Sequence, residues 1–142
     1  MSLGLGSPEE IEMLARKYDR VAAEVHAASH GGEAQLAGLD WTGPRSDRFR
    51  AKAASLRSRG THDAQVFADT ANRLRRHANW IREREALMRS WENRIVQWAT
   101  AHPPDPLNPH LPSAADILHW PARHSADWEA LARSLRARGA AL

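Results

Sequence analysis

Apolar side chains recur at alternating spacings of three and four residues near the start of the chain. In order, these positions are Ile11, Leu14, Tyr18, Val21, Val25 and Ala28. Such spacing is typical of heptad a and d positions and predicts a helix with a narrow apolar seam. The preceding Ser7-Pro8-Glu9-Glu10 favours a helix start, because Ser caps a helix and Pro suits its first turn. The later His30-Gly31-Gly32 is expected to weaken or end the helix.

The same frame continues through a second, longer segment. Its seam positions are Phe49, Ala53, Leu56, Gly60, Asp63, Phe67, Thr70, Leu74, His77, Ile81, Arg84, Met88, Trp91, Ile95 and Trp98. Because no Pro lies between Pro44 and Pro103, the pattern predicts one helix, weakened near Gly60. Residues 39–44 predict a tight turn, so the two helices should pack as an antiparallel hairpin. Small residues beside the first seam permit close helix approach: Ala15, Ala22, Ala23 and Ala27.

The second predicted helix is almost twice as long as the first, so its C-terminal part needs another partner. A Pro-rich linker at 102–112 ends that helix, and short apolar helical patterns follow at 113–120 and 125–138. We predict that this C-terminal module folds back along the overhang. The aromatic residues expected to meet there are Trp91, Trp98, Trp120 and Trp128. The predicted organisation is all-α, with a helical hairpin at 1–101, a linker at 102–112 and a module at 113–142.

A second apolar stripe lies one position before the seam of the long helix. It consists of Val66, Trp80 and Leu87, which are seven or fourteen residues apart. A two-helix hairpin cannot bury both stripes. We therefore expect the second stripe to bind a partner chain, and dimerisation would form a four-helix bundle.

Composition narrows the range of chemistry. The chain has no Cys, which excludes disulfides, thiolate catalysis and Cys-ligated metals. It begins without a basic and apolar leader and has no apolar run near the ~18 residues of a membrane span, so we expect a soluble chain made in the cytoplasm. Charge is uneven: residues 1–43 carry three basic and seven acidic residues (−4), residues 44–101 thirteen and six (+7), and residues 102–142 four of each (0).

The turn contains Trp41-Thr42-Gly43, with Phe49 six residues after the Gly. With heptad helices on both sides, residues 7–88 resemble the WXG-motif (Trp-x-Gly) family of small helical-hairpin proteins of type VII, or ESX, secretion systems. The resemblance implies an antiparallel four-helix homodimer or heterodimer, with Trp41 and Gly43 in the turn at a bundle end and Phe49 packing below them. The family's roles are secretion substrate, co-substrate or escort.

The resemblance also implies partners: the chain itself, a paralogous hairpin, the secretion ATPase or a larger exported effector. Two departures from the family are evident. A Tyr-x-x-x-Asp/Glu export signal is missing, because the single Tyr is Tyr18 and its fourth following residue is Ala22. The extension after residue 88 is the other departure. Export would therefore require a partner that carries the signal.

Three other kinds of site have some support in the sequence: a nucleic-acid-binding surface, a metal site and a catalytic site. A basic nucleic-acid-binding helix is the alternative, since the second helix begins with a cation cluster: Arg45, Arg48, Arg50, Lys52, Arg57 and Arg59. Four His residues of the linker and module, with Asp105 and Asp116, match no tight metal motif: His102, His110, His119 and His124. Asp63 and His77 lie on the predicted seam, where such residues more often fix helix register than catalyse. We predict no enzyme activity, cofactor or metal.

Overall fold

The computed structural model describes residues 6–142, and all regular secondary structure in this range is helical. Helix α1 spans Pro8–Ala37, α2 spans Pro44–Ala101 and α3 spans Asp127–Ala137, with a 3-10 helix at Ala114–Asp116. The all-α prediction is therefore confirmed for these residues. No helix in residues 6–142 is both long enough and apolar enough to cross a membrane.

The predicted interruption of α1 at Gly31 and Gly32 is not observed, because the helix continues through both residues to Ala37. Two glycines within a helix cost about 1 kcal/mol each relative to Ala. Burial of the Leu36 side chain in the following turn offsets part of this free-energy cost, since Leu36 is half-buried.

Residues Glu9–Ala78 form one of two compact units, called here the N-terminal unit. Within it, the Tyr18 and Phe67 rings lie 5.8 Å apart, and His30 Nε2 lies 3.2 Å from Thr61 Oγ1. Later residues of α1 thus meet earlier residues of α2, so the two segments lie side by side with opposite chain directions. An ion pair between Asp19 and Arg75 joins the same segments.

The buried face of α1 is shifted by one residue from the predicted seam. Ala15 and Ala22 are buried, whereas Leu14 and Val21 are 43% and 36% exposed. The physical reason is side-chain size, because Ala on the contact face lets two helices approach more closely than Leu or Val does. The larger side chains are displaced to the flank of the helix.

Helix α2 shows the same shift in the N-terminal unit. The predicted positions Asp63, Thr70 and His77 are not buried, and their place on the contact face is taken by their neighbours Ala64, Ala71 and Ala78. Gly60 is also buried, directly against Ser29 of α1. The expectation that Asp63 and His77 lie on the buried seam and fix helix register is therefore wrong, because both side chains are exposed.

The C-terminal unit contains Asn79–Leu142 together with the described residues before Glu9. The division between the two units lies inside α2. The C-terminal segment supplies five of the nine buried residues of a shared core, because α3 and the residues on either side of it pack on the end of α2. The buried members of this core are Met88, Ile95, Trp98, Ala99, Ile117, Trp128, Ala132, Leu135 and Ala140.

The helical segment predicted at 113–120 is reduced to the single 3-10 turn Ala114–Asp116. Ser113 caps this turn, and the Asp116 carboxylate accepts a hydrogen bond from the Ser113 backbone N–H at 2.9 Å. The chain then becomes extended at Ile117, which inserts its side chain into the core. The apolar pattern at 113–120 therefore overestimated the length of this element, because the chain leaves the helical conformation to bury Ile117.

Candidate interaction surface

The connection between α1 and α2 is built around Gly43. Its φ of +115° lies in a region that favours glycine. The Gly43 carbonyl accepts hydrogen bonds at 3.0 Å from the Asp47 backbone N–H and from the Ser46 hydroxyl. Nothing lies within 4 Å of a Cβ built at Gly43, so the requirement for Gly is conformational and does not come from contact with an indole ring.

Arg50 holds the turn from the first part of α2. Its guanidinium donates to the carbonyl oxygen of Trp41 at 2.7 Å and to that of Leu39 at 3.3 Å. It also donates to the buried Ser46 hydroxyl at 3.1 Å. Sequence reasoning missed this role, because it counted Arg50 only as one member of a cation cluster.

Trp41 and Phe49 contact each other at this end of the N-terminal unit. Their ring centroids are 5.8 Å apart with a tilt of 59°. Trp41 remains 38% exposed and Phe49 57% exposed, so the pair covers the turn only in part. Large exposed aromatic rings side by side are typical of a surface that binds another molecule.

An apolar groove of about 470 Å³ lies between the end of α1 and the start of α2, next to this aromatic pair. Leu39 and Leu56 line it and are each 53% exposed. Its other lining residues are Ala28, Ser29, Gly32, Gln35, Leu36, Phe49, Lys52 and Ala53. We refer to this feature as the turn groove.

The three residues of the predicted partner stripe are all exposed. In the N-terminal unit Val66 is 49% exposed. In the C-terminal unit Trp80 is 46% and Leu87 is 38% exposed. The structure thus leaves each of these apolar side chains at the surface, in addition to Leu14 and Val21 on α1.

The four Trp residues assigned to the fold-back lie in the C-terminal unit but differ in burial. Trp98 and Trp128 are 6% and 3% exposed, and the Trp128 indole N–H donates to the Ala122 carbonyl at 2.9 Å. Trp91 packs against the core beneath the guanidinium of Arg136, 4.5 Å from the ring centroid. Trp120 is 52% exposed and touches the Trp128 ring with centroids 6.2 Å apart.

Polar contacts also attach the C-terminal segment to α2. Arg84 on α2 donates to the Glu129 carboxylate on α3 at 2.7 Å. The Ala114 backbone N–H donates at 2.8 Å to the carbonyl of His102, the residue that directly follows α2. The sequence could not predict the Arg84–Glu129 pair from charge alone, because the two residues are far apart along the chain and meet only when the chain folds.

The residues considered for metal binding do not form a coordination site. Within residues 6–142, no three His, Asp or Glu side chains converge as metal ligands would. Asp105 instead organises the linker: its carboxylate accepts hydrogen bonds from the Asn108 side chain at 2.8 Å and the Leu107 backbone N–H at 2.9 Å. These hydrogen bonds lower the pKa of Asp105 below its usual value, and the bond from the Asn108 side chain has the largest effect.

The surface therefore offers exposed apolar side chains and a groove, both suited to binding another protein. Comparison with protein-family models, with curated proteins and with solved structures finds no match to this chain.

Proposed function

We propose that this chain is a non-enzymatic interaction protein whose helical hairpin associates with a second helical hairpin, either its own copy or a paralogue. The turn groove and the stripe of Val66, Trp80 and Leu87 are the contact surfaces in this proposal. Four helices together would bury apolar faces that two helices leave in water.

The observation that carries the proposal is the displacement of large apolar side chains to the surface of paired helices. Ala occupies the contact face between α1 and α2, whereas Leu14, Val21 and Val66 remain exposed. Exposed apolar residues along two helices, together with the adjoining groove, provide apolar surface that a partner protein could cover. A partner helix would cover them in the manner of a coiled-coil seam.

The biological role we propose follows the resemblance of the Trp41-Thr42-Gly43 turn to the WXG-motif family. The protein would act as a type VII secretion substrate, co-substrate or escort. Since the chain has no Tyr-x-x-x-Asp/Glu signal, the partner would have to carry it. Loss of the secretion ATPase should then reduce the amount of this chain, or of its partner, in the culture medium.

The proposal is tested by the mass of the purified chain in solution, alone and after co-expression with its genomic neighbours. We expect a dimer, or a monomer that forms a stable complex with one neighbouring helical protein. The double variant Val66→Glu/Leu87→Glu should weaken either assembly, because it places charges in an apolar interface.

Leu107→Glu is the matched control, because Leu107 is 88% exposed in the linker and lies outside these surfaces. It adds one charge without entering the proposed interface. A chain that stays monomeric at tens of micromolar with every neighbouring gene product would exclude the proposed function.

A further inference from the structure

The first part of α2, which lines one side of the turn groove, carries a row of cations. Arg45, Lys52 and Arg59 are exposed and seven residues apart, so they share one face of α2. Lys52 itself lines the groove, together with Phe49 and Leu56, which are also seven residues apart. The first part of α2 thus carries an apolar row and a positively charged row, and Lys52 is the member of the charged row that lines the groove.

The cations of this row have no counter-charge in the part of the chain that the structure describes. Among residues 6–142, none of Arg45, Lys52 and Arg59 forms an ion pair. The row begins in the first turn of α2, where the helix dipole favours acidic side chains, yet Asp47 is the only acid there. Arg45 in the first turn therefore opposes helix stability, and an anionic partner would offset that effect.

We propose that the turn groove binds an acidic amphipathic helix of a different protein, with acidic side chains at seven-residue intervals beside its apolar ridge. This inference rests on the proposed function, because it identifies the partner of the same surface. In paired helices, charges that flank the apolar seam determine which partner binds and in which orientation. A partner helix that pairs with all three cations would need acidic side chains opposite them.

A second copy of this chain would match the row only in part. Its exposed apolar positions on α1, Leu14 and Val21, are flanked at seven-residue spacing by Glu10, Lys17 and Glu24. A self-complex that uses α1 would therefore place Lys17 among the cations. One that uses the same part of α2 would set cation against cation, which disfavours that pairing.

The groove favours a helix over a polyanion. Nucleic acid contacts basic residues mainly through its phosphates and would leave the aliphatic lining at Leu39 and Leu56 in water. A helix with an apolar ridge fills such a groove with side chains three and four residues apart, while its acidic flank meets Lys52. Both rows of the surface are then used at once.

The test measures binding of labelled peptides to the full chain by fluorescence anisotropy. One peptide has three heptads with Leu at a and d and Glu at e and g, and the second has Lys in place of every Glu. We expect binding of the Glu peptide only, weakened when NaCl rises from about 50 mM to about 500 mM.

The triple variant Arg45→Glu/Lys52→Glu/Arg59→Glu should bind the Glu peptide at least about tenfold more weakly and gain affinity for the Lys peptide. Glu is a good helix former, and Arg45→Glu also places an acid in the first turn of α2, so the variant should retain its helicity. The matched control, Arg16→Glu/Arg20→Glu/Arg76→Glu, makes the same change in net charge at exposed positions outside the groove. It should change affinity for the Glu peptide less than about twofold.

Equal affinity for the two peptides, no binding of the Glu peptide, or equal effects of the two triple variants would overturn the inference. Binding of duplex DNA or anionic vesicles through the same cations, without binding of the Glu peptide, would overturn it as well. A homodimer that Val66→Glu/Leu87→Glu dissociates, combined with no peptide binding, would leave the proposed function standing and remove only this inference.

Discussion

At the scale of single residues, α1 and α2 approach each other closely at Gly60. A methyl group at this position would overlap Cβ and Oγ of Ser29. In Gly60→Ala, overpacking of about 1–3 kcal/mol should exceed the gain of about 1 kcal/mol in helix propensity. The free energy of unfolding, measured with urea, should therefore fall. Adding Ser29→Gly to this variant removes the overlapping atoms and should recover part of the loss.

Gly31→Ala is the matched control for this prediction. Gly31 also lies inside a helix, but nothing is within 4 Å of a Cβ built there. The substitution should raise the free energy of unfolding by up to about 1 kcal/mol. Equal effects of Ala at positions 60 and 31 would mean that α1 and α2 do not approach closely at Gly60.

A second residue-scale prediction concerns Asp105, whose pKa is lowered by hydrogen bonds from the Asn108 side chain and the Leu107 backbone N–H. A lowered pKa means that the ionised carboxylate stabilises the linker turn above the usual Asp pKa, and that this contribution disappears as pH falls through the lowered pKa. Asn108→Ala should raise the pKa of Asp105 toward its usual value. An NMR pH titration of the carboxyl carbon measures this, and an unchanged pKa in the variant would contradict the hydrogen-bond assignment.

At the scale of elements, the sequence predicted where α1 and α2 run more accurately than which faces they bury. Heptad counting identified Tyr18, Phe67 and Ile81 correctly as positions that face inward. Heptad counting failed at every second seam position of the N-terminal unit. It favours large apolar residues, whereas close helix packing selects small side chains such as Ala71. The apolar residues left outside are consequently part of the candidate surface.

The sequence also predicted the turn between α1 and α2 only in part. The Trp41-Thr42-Gly43 motif predicted the location of the turn, and Gly43 has the positive φ that such a turn requires. The clamp by Arg50 could not be predicted, because hydrogen bonds to main-chain carbonyls depend on the path of the chain and leave no residue pattern.

Arg50 should therefore matter more than its neighbours in the cation cluster. Arg50→Met keeps much of the apolar stem but removes the bonds to the Leu39 and Trp41 carbonyls, and should lower the free energy of unfolding by about 1–2 kcal/mol. Arg48→Met is the control, since within residues 6–142 Arg48 is exposed and forms no ion pair. Urea denaturation followed by circular dichroism compares the two, and equal stabilities would show that Arg50 does not hold the turn.

At the scale of the whole molecule, the C-terminal segment determines whether the last part of α2 can remain in water. Met88 and Ile95 are fully buried in the core that α3 completes, and Trp98 is 6% exposed. Deleting residues 103–142 should expose this apolar surface, so the truncated protein should bind a hydrophobic dye or aggregate, and its Trp emission should shift to longer wavelength.

Point variants separate loss of the core from loss of chain length. Leu135→Ala, at a side chain that is 1% exposed, should lower the free energy of unfolding by about 2–5 kcal/mol, whereas Leu107→Ala, at a side chain that is 88% exposed, should leave it nearly unchanged. If the truncated protein instead stays soluble, binds no dye and keeps its Trp emission, the end of α2 does not depend on α3 for burial. The apolar surface around Trp98 would then have to be covered by a partner chain.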